Sequence, residues 1–258
     1  MKKNILLIAL AFSFVSANAQ TTERGNKHRL FASFGLNRTA YDLSTLELKG
    51  SNYDFSMEHF DASDDFTKLD FGKFNGELGF FINENISISV GYDNMSYNMF
   101  HNKLVKIDGT IDSGKYAATY YANQGDVIRT TSELLSYEYS KLSYINLNIA
   151  INDDFWVSNN SKLAWSYHFG LGGGIVMNET TVSLFGGTPV TTDNGMSGWG
   201  TNASIGTRFH AGPIFLQLGA KMGYIDLKEL AVDANGGLAS HSFLFAQAIG
   251  SLGLSYKF

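Results

Sequence analysis

Long stretches of the chain alternate strictly between apolar residues and small or polar residues. From Ile214 to Tyr224, apolar side chains take every second position, and the positions between them include Gln217 and Lys221. Alternation with a period of two predicts a β-strand with one apolar and one polar face. These runs are longer than ordinary strands, which have about five or six residues. They reach the length of about nine to eleven residues that a strand needs to cross a bilayer. The pattern therefore predicts a membrane barrel with lipid outside and a polar interior.

Eight segments show this alternation, and the connections between them alternate in length. Long connections are expected at 39–72, 99–134, 179–197 and 226–241, and short ones at 83–85, 152–162 and 210–213. An even strand number with long loops on one side is typical of bacterial outer-membrane barrels whose termini face the periplasm. The predicted fold class is all-β, a transmembrane antiparallel up-and-down β-barrel with long extracellular loops. Its predicted strands are 27–38, 73–82, 86–98, 135–151, 163–178, 198–209, 214–225 and 242–258.

One segment leaves the strand number open. Leu46 and Leu48 alternate on one side of a turn, and Tyr53, Phe55 and Met57 alternate on the other. A hairpin here would either add two strands to the ring, making ten, or extend above the membrane. We expect eight strands in the ring.

The N-terminus has the three parts of a secretory signal peptide. Lys2 and Lys3 precede an apolar stretch over 5–15, and Ala17 and Ala19 form a small-x-small cleavage site. Removing 1–19 leaves 20–258 as a single barrel domain with 17 basic and 24 acidic residues, a net charge of −7. An acidic chain argues against nucleic acid as a partner. With no cysteine in the chain, disulfides and thiolate metal sites are excluded.

The predicted last strand ends on an aromatic residue. Phe258 shares one face with Tyr256, Leu254 and Leu252. This segment resembles the C-terminal strand of bacterial outer-membrane proteins that the barrel assembly machinery reads. We therefore expect these four residues to act as an assembly signal and the protein to lie in the bacterial outer membrane.

Three short motifs resemble a family of eight-stranded outer-membrane β-barrel proteins of Bacteroidota. They are G-Y-D-N-M-S-Y at 91–97, K-M-G-Y-I-D at 221–226 and L-K-G-S-N-Y-D-F at 48–55. The family has no settled activity. The resemblance therefore implies the barrel fold and the outer-membrane location, and it adds little about function.

Charged residues on the inward faces predict an ion-pair network in the lumen. We expect Glu77, Asp93 and Glu138 to pair with Arg208 and Lys221, because buried charges persist only when they are paired and hydrogen-bonded. An eight-stranded barrel is just wide enough for side chains to fill its interior. The favoured interpretation is a closed, polar-filled lumen, and the alternative is a small pore.

The long predicted loops hold the remaining candidate sites. Acidic residues are frequent in the first loop, and Asp61, Asp64 and Asp65 form a candidate cation-binding loop that would bridge to lipopolysaccharide phosphates. The alternative is an ordinary solvated acidic face. Tyrosines in the loop at 99–134 suit contact with an extracellular ligand, or they pack on the barrel rim.

Three function classes remain. The first is a non-enzymatic outer-membrane barrel whose external loops serve surface interaction or envelope integrity, with outer-membrane lipid and lipopolysaccharide as partners. The second is a lipid-active enzyme, for which Asn94, Ser96 and Asn98 are the outward polar cluster. The third is a small pore. No catalytic constellation, metal-binding motif or cofactor motif is found in the sequence, so the prediction is a protein that is not an enzyme.

Overall fold

The computed structural model describes residues 25–58, 62–63, 73–111, 126–233 and 235–257. These residues form one antiparallel sheet of twelve strands. Within the same ranges, no helix is long and apolar enough to cross a membrane. The strands are β1 (Arg29–Gly50), β2 (Tyr53–Glu58), β3 (Ala62–Ser63), β4 (Phe74–Phe81), β5 (Ile86–Met99), β6 (Leu104–Ile111), β7 (Asp126–Arg129), β8 (Leu135–Val157), β9 (Leu163–Leu184), β10 (Val190–Ala211), β11 (Ile214–Ala231) and β12 (Leu238–Lys257).

Eight of these strands close into a ring. The order is β1, β4, β5, β8, β9, β10, β11 and β12, and β12 pairs again with β1. Closure leaves no sheet edge in the ring, which is what a barrel needs to stand in hydrocarbon. The predicted eight-stranded antiparallel barrel is confirmed. The end of the ring that holds Arg29 and Lys257 is called the terminal end here, and the opposite end is called the hairpin end.

The hairpin that left the strand number open lies outside the ring. β1 continues through Leu46 and Leu48, and β2 folds back on it from Gly50 opposite Tyr53 to Thr45 opposite Glu58. β6 then pairs with β2 and β7 pairs with β6, while the short β3 bridges β1 and β5. The sheet therefore extends above the barrel at the hairpin end, and the ring keeps eight strands.

The register of the ring sets its dimensions. Starting at Ala40 and following the paired residues once around the barrel returns to Leu30, ten residues earlier on β1. With about 4.8 Å between strands and about 3.3 Å per residue, this shear tilts the strands by about 40° and gives a backbone radius of about 8 Å. Rows of paired residues consequently climb toward the hairpin end from β9 to β1.

The outer wall carries a band of exposed apolar side chains, called the hydrocarbon belt here. It runs from the terminal end to the level of Ala40, about 25 Å along the axis, as in outer-membrane barrels. Aromatic residues mark its edges, with Trp165, Phe209 and Tyr256 at the terminal end, and Trp199 and Tyr224 toward the hairpin end. Exposed aliphatic and phenylalanine members include Leu30, Phe34, Leu78, Val90, Leu147, Ile149, Leu171, Ile205, Leu218 and Leu252.

The polarity of the two faces inverts above the belt. Leu46 and Leu48 point inward and are fully buried, while Glu47 and Lys49, which alternate with them, are exposed. The outer face meets water at this level, so the apolar side chains stabilise the protein by turning into the interior. The prediction of a polar-filled lumen is therefore wrong for the hairpin half, whose interior is apolar and aromatic. Likewise, much of the predicted loops at 39–72, 179–197 and 226–241 is strand.

Candidate functional site

Two buried ion pairs cross the lumen inside the belt. Lys221 on β11 places Nζ 2.6 Å from Oδ2 of Asp93 on β5. Arg208 on β10 places Nη2 3.4 Å from Oε2 of Glu77 on β4. The two pairs and their amide partners are called the polar layer here. All four residues point inward because of strand alternation, and the register brings them face to face.

The Lys221–Asp93 pair is almost completely shielded from water. The side chains are 9% and 1% exposed. Asn146 donates a 3.0 Å hydrogen bond from Nδ2 to the same Asp93 oxygen, and Asn148 donates to Oδ1 of Asn146. A buried carboxylate is tolerated when it is both paired and hydrogen-bonded, and Asp93 meets both conditions.

The Arg208 guanidinium is held by three polar partners. Nε donates to Oε1 of Gln217 at 2.6 Å, and Nη1 donates to Oδ1 of Asn152 at 3.4 Å, beside the pairing with Glu77. Ser89 donates to the other oxygen of Glu77 at 2.7 Å. The rigid planar guanidinium of arginine can donate to several acceptors at once. Arg208 therefore connects its own strand, β10, with β4, β8 and β11.

One predicted member of the network does not belong to it. Glu138 on β8 is exposed on the outer face, whereas Tyr137 and Tyr139 on either side of it are buried. A bulge between Tyr139 and Lys141 in the pairing with β9 changes the alternation of β8. Counting back from Asn146 with a strict period of two therefore assigns Glu138 to the wrong face.

Apolar layers lie on both sides of the polar layer. Toward the terminal end, Phe31, Phe81 and Phe215 form a buried cluster, and the Arg208 guanidinium lies 4.6 Å from the Phe31 ring centroid. Toward the hairpin end, a larger apolar core begins at the level of Tyr144, and it is called the upper core here. Between them is a cavity of about 40 Å³, enough for one to a few water molecules. Packed apolar side chains therefore lie on both sides of the polar layer.

The upper core contains a histidine that sequence reasoning missed. His241 is 1% exposed, with Nε2 2.6 Å from Oγ of Ser44 and Nδ1 2.7 Å from the Tyr139 hydroxyl. Burial lowers the pKa of His241 to about 3 and raises the pKa of Tyr139. The Ser–His contact has the length that nucleophilic catalysis uses, but the third partner is a phenol and the group is enclosed. Ser44 and His241 lie 197 positions apart, so no local pattern signals the contact.

The turns at the hairpin end are joined to one another. Tyr53, at the start of β2, donates a 2.5 Å hydrogen bond to Oδ2 of Asp233 in the β11–β12 turn. Its ring lies 5.7 Å from that of Phe185 in the β9–β10 turn. Burial and the neighbouring carboxylate raise the pKa of Tyr53, so its hydroxyl stays a donor. Three connections are therefore in contact with one another.

The remaining predicted site residues lie on the outer wall of the ring or outside the described residues. Leu252, Leu254 and Tyr256 point outward on β12 and are exposed in the belt. Phe258, the candidate cation-binding loop and the segment 1–19 lie outside the described residues. Among the residues that are described, no group of three or more His, Asp or Glu side chains could hold a metal ion. The outward polar residues Asn94 and Ser96 lie on β5 at the upper part of the belt.

No protein-family model and no curated protein matches the chain. Among solved structures, the chain is similar to the outer membrane protein OprG from Pseudomonas aeruginosa, with 8% identity over 92% of this chain and 100% of that one and a TM-score of 0.41. It is similar to the outer membrane protein AlkL, with 13% identity over 94% and 95% and a TM-score of 0.41. It is also similar to the outer membrane protease OmpT from Escherichia coli, with 8% identity over 93% and 100% and a TM-score of 0.33.

At these identities and TM-scores, nothing is transferred to this chain, and the fold assignment rests on its own geometry. A single-chain ring of eight antiparallel strands has an apolar outer belt with aromatic edges and polar groups inside. This combination is that of outer-membrane barrels. The protein is an integral outer-membrane β-barrel.

Proposed function

We propose that the protein is a non-enzymatic and non-conducting barrel that presents a rigid extracellular surface for interaction or envelope integrity. The observation that carries this proposal is the presence of packed apolar side chains at two levels of the lumen. The Phe31, Phe81 and Phe215 cluster lies on one side of the polar layer, and the apolar upper core lies on the other. A hydrated ion would have to displace packed aromatic rings at both levels.

The extension above the belt supports the second half of the proposal. From Ala40 to Gly50, β1 continues about 25 Å beyond the belt. This extension has its own apolar core, and Tyr53 links the β11–β12 and β9–β10 turns to the first hairpin. A surface whose loops are packed and held by contacts with one another suits recognition, because little conformational entropy is lost on binding. Lipopolysaccharide and an extracellular ligand are the partners proposed for it.

The route to the membrane is part of the same proposal. Segment 1–19 directs export, the barrel assembly machinery reads the strand that ends at Phe258, and the terminal end faces the periplasm. The outward row of Leu252, Leu254 and Tyr256 on β12 supports this because it presents one continuous apolar face. The three sequence motifs support membership of the Bacteroidota family, in which no settled activity competes with a structural or interaction role.

Conductance and lipid chemistry together test the proposal. The refolded barrel, shown to be folded by its heat-dependent gel mobility, is inserted into planar bilayers at neutral pH. The same preparation is incubated with lipid A and phospholipids, which are then analysed by mass spectrometry. We expect no single-channel events and unchanged lipids. Steady conductance from the folded barrel would overturn the sealed lumen, and loss or gain of an acyl chain would overturn the non-enzymatic assignment.

A further inference from the structure

Two apolar side chains above the belt do not turn into the interior. Phe100, which follows β5, is 44% exposed, and Leu104, the first residue of β6, is 59% exposed. Their neighbours Met99 and Val105 are buried, so Phe100 and Leu104 face the outside at the two ends of one turn. Neighbouring exposed apolar side chains with polar groups around them are typical of an interaction site.

An arginine lies beside these two side chains. Arg129 on β7 is paired with Leu104, so both point to the same outer face, and Arg129 is exposed. Its Nη1 donates to the main-chain oxygen of Asn102 at 2.9 Å and to Oδ1 of Asn102 at 3.2 Å. Because the turn occupies Nη1, the Nε and Nη2 groups remain as donors for an acceptor outside the protein.

The turn between β5 and β6 is bonded to the residue that follows β7. The amide of Asn102 donates to the carbonyl of Thr130 at 2.8 Å, and the amide of Thr130 donates to the carbonyl of Lys103 at 2.8 Å. The amide of Lys103 also donates to the Thr130 hydroxyl at 3.1 Å. These bonds keep the turn next to Arg129. We call Phe100, Leu104 and Arg129 the turn patch.

The turn patch lies above the level of phospholipid head groups. The paired residues Ala40, Ser63 and Asn98 lead from the upper edge of the belt on β1 through β3 to β5. Each of these two steps climbs about 3 Å, and each residue from Asn98 to Phe100 adds about 2.5 Å, so Phe100 is about 11 Å above the belt. The head-group layer of a bilayer is only about 5–8 Å thick on each side. The patch therefore faces whatever stands beside the barrel outside that layer.

We propose that the turn patch binds the anionic saccharides of lipopolysaccharide that lie next to its acyl chains. Phosphate and carboxylate groups accept two parallel hydrogen bonds from a guanidinium, which Arg129 offers through Nε and Nη2. The apolar faces of sugar rings pack on exposed apolar side chains, which Phe100 and Leu104 supply. This inference rests on the proposed function, in which lipopolysaccharide is a partner, and it names the site of contact.

Two probes test the proposal. The refolded barrel in detergent micelles is incubated with lipopolysaccharide that keeps its core saccharides, and separately with lipid A, which lacks them. Native mass spectrometry gives the bound fraction at each concentration. Arg129→Gln removes the guanidinium charge, and Phe100→Ser and Leu104→Ser remove apolar surface. Lys49→Gln is the matched control for charge, because Lys49 is also exposed above the belt but is paired with Asp54 at 3.3 Å.

We expect Arg129→Gln to weaken lipopolysaccharide binding about fivefold, and the double variant Arg129→Gln with Phe100→Ser to weaken it about tenfold or more. Lys49→Gln should bind like the parent, and no variant should change the binding of lipid A. An equal loss in Arg129→Gln and Lys49→Gln would refute the turn patch while leaving lipopolysaccharide as a partner. A parent barrel that binds no lipopolysaccharide would remove the partner itself.

Two further outcomes also overturn the proposal. If Arg129→Gln weakens the binding of lipid A to the same extent, the saccharides are not what the patch contacts. If Leu104→Ser dissociates a barrel dimer and leaves lipopolysaccharide binding unchanged, a second copy of the chain covers the patch. Heat-dependent gel mobility of every variant separates these outcomes from a failure of the barrel to fold.

Discussion

Asp93→Asn is the substitution that most directly tests the energetics of the polar layer. Asparagine has nearly the same size as aspartate, and its amide oxygen can still accept the hydrogen bond from Asn146. The substitution therefore removes mainly the charge. Lys221 then loses its carboxylate partner in a site where its side chain is 9% exposed. Lys221→Met makes the complementary change and leaves the Asp93 carboxylate without its cation.

The expected loss follows from the burial of the pair. Removing one partner of a buried ion pair costs about 3–5 kcal/mol, because the remaining charge keeps its desolvation penalty and loses its compensation. That is a large fraction of the roughly 5–15 kcal/mol by which most domains are stable. The double variant Asp93→Asn with Lys221→Met removes both charges. We expect it to be more stable than either single variant.

Urea unfolding monitored by tryptophan fluorescence measures these differences. Trp156, Trp165 and Trp199 are the three tryptophans of the chain, and all are exposed on the outer wall, so their emission reports on leaving the hydrophobic environment. An unchanged denaturant slope shows that a shifted midpoint reflects stability. The Lys141–Glu179 pair provides a matched control. Its separation is also 2.6 Å, but its lysine is 69% exposed, and neutralising it should have far less effect.

Two outcomes would contradict these expectations. If the double variant loses as much stability as the sum of the two single variants, the charges do not interact energetically across the lumen. If Asp93→Asn lowers the free energy of unfolding no more than neutralising Glu179 does, burial does not determine how much the Lys221–Asp93 pair contributes to stability.

Three further predictions concern the two apolar layers and the hairpin surface. Unfolded histidine has a pKa near 6.5 and burial lowers that of His241 to about 3, so the unfolded state binds the proton first. Stability should fall as the pH drops from about 6.5 toward 3, and His241→Gln should flatten that slope between about pH 6.5 and 5 in urea titrations. Phe215→Ala should cost about 3–5 kcal/mol in the same assay yet leave bilayer conductance at zero, because the upper core still seals the lumen. Channel events in this variant would show that the cluster of Phe31, Phe81 and Phe215 is the only barrier to ions. Tyr53→Phe should speed hydrogen exchange at the amide of Gly237, since the link to Asp233 is lost; unchanged exchange there would contradict a joined surface.

Much of the fold follows from local periodicity. Alternation over 214–225 and its counterparts identifies the strands that cross the belt, because the side-chain period of a strand is two whatever its neighbours are. The same rule assigns Asp93 and Lys221 to the interior. It fails at Glu138, where the bulge after Tyr139 adds a residue and reverses the faces. The rule also underestimates the length of the strands above the belt. Water replaces lipid as the outer solvent there, so the apolar face points inward and the polar face points outward.

The sequence by itself determined that the chain forms a membrane barrel, which faces of its strands point inward within the belt, and how the acidic and basic residues are distributed along it. Only the tertiary structure decided which of them meet. Partners across the lumen depend on the ten-residue shear, which is a property of the closed ring and of no single segment. The same holds for Ser44 and His241, far apart in the chain and adjacent in the core.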